Sequence, residues 1–117
     1  MPAFNRFLIL AAGLTGAAGV GLSAAAAHAG GAFMGTAANF LLMHAPAFLA
    51  IGLLGANRLL RIAGLTLLVG VVLFSGDLLA RNFLGTRLFP LAAPTGGTLL
   101  IFGWLAVAGA AFLGWKR

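Results

Sequence analysis

The sequence predicts an all-α membrane protein, a bundle of four transmembrane helices with short loops, on three observations. Of its 117 residues 62% are hydrophobic, only seven basic residues and one acid carry formal charge, and the apolar residues gather into four blocks separated by Gly, Pro, Asn or Arg. So little charge cannot cover the surface of a soluble fold. About 20 apolar residues cross a bilayer, so the length allows four crossings, taken as a single transmembrane domain 1–117, with no room for a separate soluble domain. Hydrocarbon offers no partner to backbone N–H and C=O groups. Apolar runs of this length, without the short alternating segments of a barrel, must therefore be helical.

The first block, about 6–29, begins at Arg6 and ends near Ala27-His28-Ala29. That pattern also resembles a secretory signal with a small-residue cleavage site before Gly30. It is expected to be retained as helix 1. The second block, about 36–56, contains Pro46, which cannot donate to the Leu42 carbonyl and should kink helix 2 just past His44. The third, about 60–83, follows the Asn57-Arg58 connection. The fourth, about 94–115, begins at Pro94, a residue suited to a first helical turn where the missing N–H costs nothing. The segment Gly85 to Ala93 is the longest connection.

With four crossings, Arg6, Arg58, Arg61, Lys116 and Arg117 share one side, and Arg81 and Arg87 the other. The positive-inside rule then places both termini in the cytoplasm of a bacterial inner membrane. The basic excess is a topology signal; the expected partners are the lipid bilayer and a second copy or larger membrane complex, with no nucleic acid. No cysteine is present, which removes disulfides and thiolate metal sites.

Small residues recur at four-residue spacing: Gly13, Ala17, Gly21 and Ala25 on helix 1, Ala106, Ala110 and Gly114 on helix 4. Such stripes let helix backbones approach closely, within one chain or between chains. Gly96 and Gly97 allow the same near the outer surface.

At about 1.5 Å rise per residue, His44, Ser75 and Trp104 each fall roughly 12–15 Å below the predicted outer end of their helices. They are expected to form one inward-facing layer, His44 donating to a carbonyl or to Ser75, with Gly19 and Gly21 making room beside it. Asp77, the one acid, stands four residues before Arg81, the favourable order for a helical ion pair. The alternative is a proton or cation relay joining Asp77 to His44 or His28. His28 lies too near the surface, about 10 Å above His44, for the two to bind one haem or one metal ion. No cofactor, no metal site and no catalytic residues are expected, since the chain lacks a nucleophile elbow, a P-loop, a dinucleotide fingerprint and paired carboxylates.

Ala11-Ala12-Gly13, Gly19-Val20-Gly21, Ala27-His28, His44, Leu73-Phe74-Ser75-Gly76, Pro94-Thr95-Gly96-Gly97 and Gly103-Trp104, in that order, resemble the YgdD-like family of small bacterial inner-membrane proteins, the domain of unknown function 423. The resemblance covers nearly the whole chain. It implies a four-helix inner-membrane protein with no established biochemical activity, and it makes His28, His44, Ser75 and Trp104 the candidate functional positions. Asp77 departs from the family, which usually carries a small hydroxyl residue there. The run Ser23 to Ala27 likewise stands where the family is rich in glycine.

The leading expectation is a non-enzymatic structural or accessory subunit that associates through small-residue helix faces. Two alternatives stand beside it. One is a small transporter or channel with an outer vestibule lined by His28, His44, Asp77 and Arg81; the other is a binder of lipid or another hydrophobic ligand in the outer half.

Overall fold

The computed structural model describes residues 2–55 and 57–114. Four helices follow one another: α1 Ala3–Ala29, α2 Ala32–Leu54, α3 Arg58–Leu84 and α4 Ala92–Ala110. Each is long and apolar enough to cross a membrane. The protein is thus an all-α membrane protein of four spanning helices, and no strand occurs among the described residues.

Glycine makes the turns short. Gly30 and Gly31 take φ values of 77° and 103°, a left-handed geometry that reverses the chain between α1 and α2 in two residues. Because every residue from Ala32 onward is already helical, α2 starts before the expected position 36, and it ends at Leu54 where Gly55 enters the left-handed region. The helix is continuous across Pro46. Asn57 caps α3, its Oδ1 accepting from Leu60 N at 2.9 Å. This cap draws Arg58 into the helix, two residues ahead of expectation.

The fourth helix differs most from the sequence-based range 94–115. It starts two residues before Pro94, after Leu91 at φ 67°, and ends at Ala110. There Ala111, Phe112 and Leu113 bond to carbonyls three residues back, the tightened winding that often closes a helix. Position 115 lies outside the described residues.

The helices pack as α1 on α2, α2 on α3 and α3 on α4. Leu8, Phe48, Leu67 and Val71 are fully enclosed between them. Close approach depends on glycines set against backbone. A Cβ at Gly96 would stand 2.6 Å from Phe74 N and 2.7 Å from Gly70 O, so α4 meets α3 where only a hydrogen fits. Gly52 fills the same role toward α1, where an added Cβ would lie 3.0 Å from Asn5 O. In lipid, where apolar burial between helices gains little, such backbone proximity supplies the packing.

These contacts also set heights. Gly96 lies beside Gly70 and Phe74, Gly103 beside Leu67, and Ala110 beside Asn57. By that antiparallel register α4 begins level with about Leu78, and α3 runs on to Leu84, roughly 9 Å farther. The segment 85–91 descends that distance alongside α3.

Candidate functional site

The polar centre of the bundle is His44, with its ring between α2, α3 and α4 and a relative exposure of 1%. An imidazole so deep must satisfy both nitrogens within the protein. Nδ1 lies 2.7 Å from the Phe40 carbonyl one turn back, and Nε2 accepts the Trp104 indole N–H at 3.1 Å. Indole can only donate, so Nε2 is the bare nitrogen and Nδ1 carries the hydrogen it gives to Phe40 O. The ring is neutral, with a fixed tautomer. Aromatic rings surround it: Trp104 at 5.7 Å between centroids, Phe40 at 6.2 Å and Phe48 at 6.4 Å, while Phe40 in turn meets Phe74 at 4.4 Å.

The expected single layer of His44, Ser75 and Trp104 is resolved into different heights. The stacking of Phe40 on Phe74 places Ser75 about one helical turn above His44. Ser75 is buried, and its Oγ finds no hydrogen-bond partner among the described residues. Thr15, Thr66 and Thr98 instead return their hydroxyls to the carbonyl four residues back. Trp104 is 41% exposed on the outer surface of the bundle and turns only its N–H edge inward, which corrects the expectation of an interior indole. Depth along a helix fixes height and not the face a side chain takes, and the recessed start of α4 also sets Trp104 farther down than depth counted from that helix's own end.

Gly19 lies against Leu42, whereas Gly21 has no neighbour within 4 Å of where a Cβ would stand. Gly13 has none either, and Gly97 makes only ordinary contact with Phe74. Of the four glycines expected to pack closely, Gly96 alone does so inside this chain. Gly13, Ala17 and Gly21 face outward, because α1 turns a different set of small residues, Ala11, Ala12, Thr15 and Gly19, toward α2.

Asp77 is fully buried at the outer end of α3. Its Oδ2 lies 2.9 Å from Arg81 Nη2, and its Oδ1 accepts the backbone N–H of Leu88 at 2.7 Å. The carboxylate therefore fastens the descending segment 85–91 to α3 as well as pairing with Arg81. Arg81 also lies 5.7 Å over the ring of Phe33 at the start of α2. His28 is exposed at the end of α1 and forms no group with His44. The structure thus holds two separate polar centres, the His44–Trp104 bridge and the Asp77 clasp.

Two asparagines that sequence reasoning passed over work at the opposite end. Asn5, buried in α1, donates from Nδ2 to Gly52 O at 2.7 Å, and Asn57 donates to Ala110 O at 3.0 Å. Both acceptors are last-turn carbonyls, and Ala110 O also takes the backbone N–H of Leu113. An isolated amide at a helix end in so apolar a chain was the available signal.

Comparison with known proteins follows the same outline. The description "Protein of unknown function (DUF423)" matches residues 11–97, a stretch that contains His44 and Asp77 and stops short of Trp104. A "UPF0382 membrane protein" of Haemophilus influenzae is 33% identical over 118 residues, covering 92% of this chain and 94% of that protein. No solved structure matches the chain. On both the family match and the extent of this relative, the four-helix chain belongs to DUF423, a family of proteins of unknown function.

Proposed function

We propose that the protein is a non-enzymatic accessory subunit of the bacterial inner membrane that associates through the outward face of α1. The observation that carries this reading is the exposure of Gly13, Ala17 and Gly21, with open space where a Cβ at either glycine would stand. Gly13 borders a groove of about 510 Å³ between α1 and α2, which Gly16 and Ala45 also line. Membrane helices associate through small residues that let backbones approach, and this stripe is not used for packing inside the chain. The apolar groove adds a surface into which a neighbouring helix can settle.

Both termini are assigned to the cytoplasm. Arg6, Arg58 and Arg61 cluster at the end of the bundle where α1 starts, and Lys116 and Arg117 follow α4 in the sequence, against Arg81 and Arg87 at the other end.

The natural absence of cysteine makes the test direct. A single cysteine introduced by Ala17→Cys should cross-link two copies in native membranes under mild oxidation. Cysteine at Leu65, exposed on α3, should not do so. Adding Gly13→Leu and Gly21→Leu should abolish the cross-link while leaving the monomer folded. Equal cross-linking from both positions, or none from Ala17→Cys, would refute self-association through this face.

A further inference from the structure

Between α3 and α4 the backbone and the side chains it carries ask for different surroundings. Residues 83–91 are all exposed. Five of them are large and apolar, Phe83, Leu84, Leu88, Phe89 and Leu91, with relative exposures from 43% to 75%. Past Leu84, however, the chain leaves the helix, and among the described residues the N–H groups of Thr86, Arg87, Phe89 and Leu91 have no hydrogen-bond partner. Hydrocarbon offers such groups nothing, and lipid-exposed irregular backbone does not occur within it. In open water the five apolar side chains would stand together as a bare cluster, the mark of an interaction surface. The layer in between, where headgroups, water and the first acyl carbons mix, meets both demands.

Height points to the same layer independently. At the other end of the bundle the helices finish level, Asn5 reaching Gly52 and Asn57 reaching Ala110. Arg58 and Arg61 are exposed there on the first turn of α3, where arginine side chains extend to the headgroups. A hydrocarbon core of about 30 Å, measured up α3 from Arg58 at about 1.5 Å per residue, ends near Leu78. The contacts of Gly96 and Gly103 set the first residue of α4 at that same height. The rest of α3, roughly 9 Å to Leu84, therefore stands beyond the hydrocarbon, and 85–91 returns through the same distance. A headgroup layer is itself roughly 5–8 Å deep on each side of a bilayer.

We propose that 85–91 is an interfacial anchor whose partner is the phospholipid surface: it lies in the headgroup layer of the leaflet at the outer end, with its apolar side chains against the upper acyl carbons. Asp77, level with the start of α4, stands at the edge of the hydrocarbon, and its bond to Leu88 holds the anchor at that height.

Because the chain has no cysteine, a nitroxide label can be placed at one position at a time in the full-length protein. Phe89→Cys and Leu88→Cys label the segment, the second keeping the backbone N–H that Asp77 holds. Val69→Cys, at a residue 50% exposed on α3, labels the middle of the core. Each is reconstituted in vesicles of phosphatidylcholine and phosphatidylglycerol. Depth is read from the balance of relaxation by oxygen, which concentrates in hydrocarbon, and by a water-soluble nickel chelate. Both segment labels should read within about 8 Å of the phosphates, against roughly 20 Å for Val69. A segment label as deep as Val69, one that meets the chelate as freely as a label in water, or one shielded from both reagents by protein would overturn the proposal.

Discussion

Trp104 donates its indole N–H across the α2–α4 cleft to His44 Nε2 at 3.1 Å, and this bond fixes which imidazole nitrogen bears the hydrogen. The bridge is a structural tie between helices that otherwise lean on α3. A double-mutant cycle of Trp104→Phe and His44→Leu should give a coupling energy of about 0.5–1.5 kcal/mol, the range of hydrogen bonds between membrane helices. Unfolding in mixed micelles measures it. A coupling near zero would mean that the bond adds nothing to stability.

The approach of α4 to α3 should be the least tolerant contact in the protein. Gly96→Ala forces a methyl group onto Phe74 N and Gly70 O, backbone atoms that cannot rotate away. The expected loss is about 1–3 kcal/mol. Gly103→Ala meets chiefly the Leu67 side chain, which can shift, so it should cost less. Gly13→Ala meets nothing and should be neutral or slightly stabilising in the same assay.

Asp77 holds Leu88 as well as Arg81, so its replacements should separate the two roles. Asp77→Asn keeps an acceptor for the Leu88 amide and should preserve most of its protection from hydrogen exchange. Asp77→Leu removes the acceptor, and that amide should exchange about tenfold faster or more, matching the net worth of one hydrogen bond to a charged group. Exchange read by mass spectrometry over 85–91 distinguishes the outcomes; equal protection in both variants would contradict the clasp.

Asn57 should matter more than a loop residue ordinarily does. Asn57→Ala removes both the cap on Leu60 N and the donor to Ala110 O. A loss of about 1–2 kcal/mol is expected. Asn57→Asp keeps the capping oxygen but loses the amide donor, so it should recover only part of that stability. A full recovery would show that the tie to Ala110 is idle.

Much of the fold was legible because lipid imposes a simple rule: a long apolar run must be a helix. The same rule sent His44 inward, and four-residue spacing put Arg81 within reach of Asp77. Relative depth was not legible. The descent of 85–91 depends on a tertiary bond from Asp77 to Leu88, and without it Trp104 and Ser75 were set at one height with His44. Nor could spacing alone tell which face of α1 turned outward. Gly13-Ala17-Gly21 and Ala12-Gly16 are equally small, and in a solvent as apolar as leucine no contrast of polarity marks the outside.

The unequal helices have a consequence for the surrounding bilayer. α1 and α3 have 27 residues each, about 40 Å, whereas α4 has 19, about 28 Å. One flank of the protein therefore exceeds the thickness of a typical hydrocarbon core while the other barely matches it. Lipids beside α4 must compress where those beside α1 can stretch, or the whole molecule must tilt. Membranes of different thickness should therefore change the angle at which the protein stands.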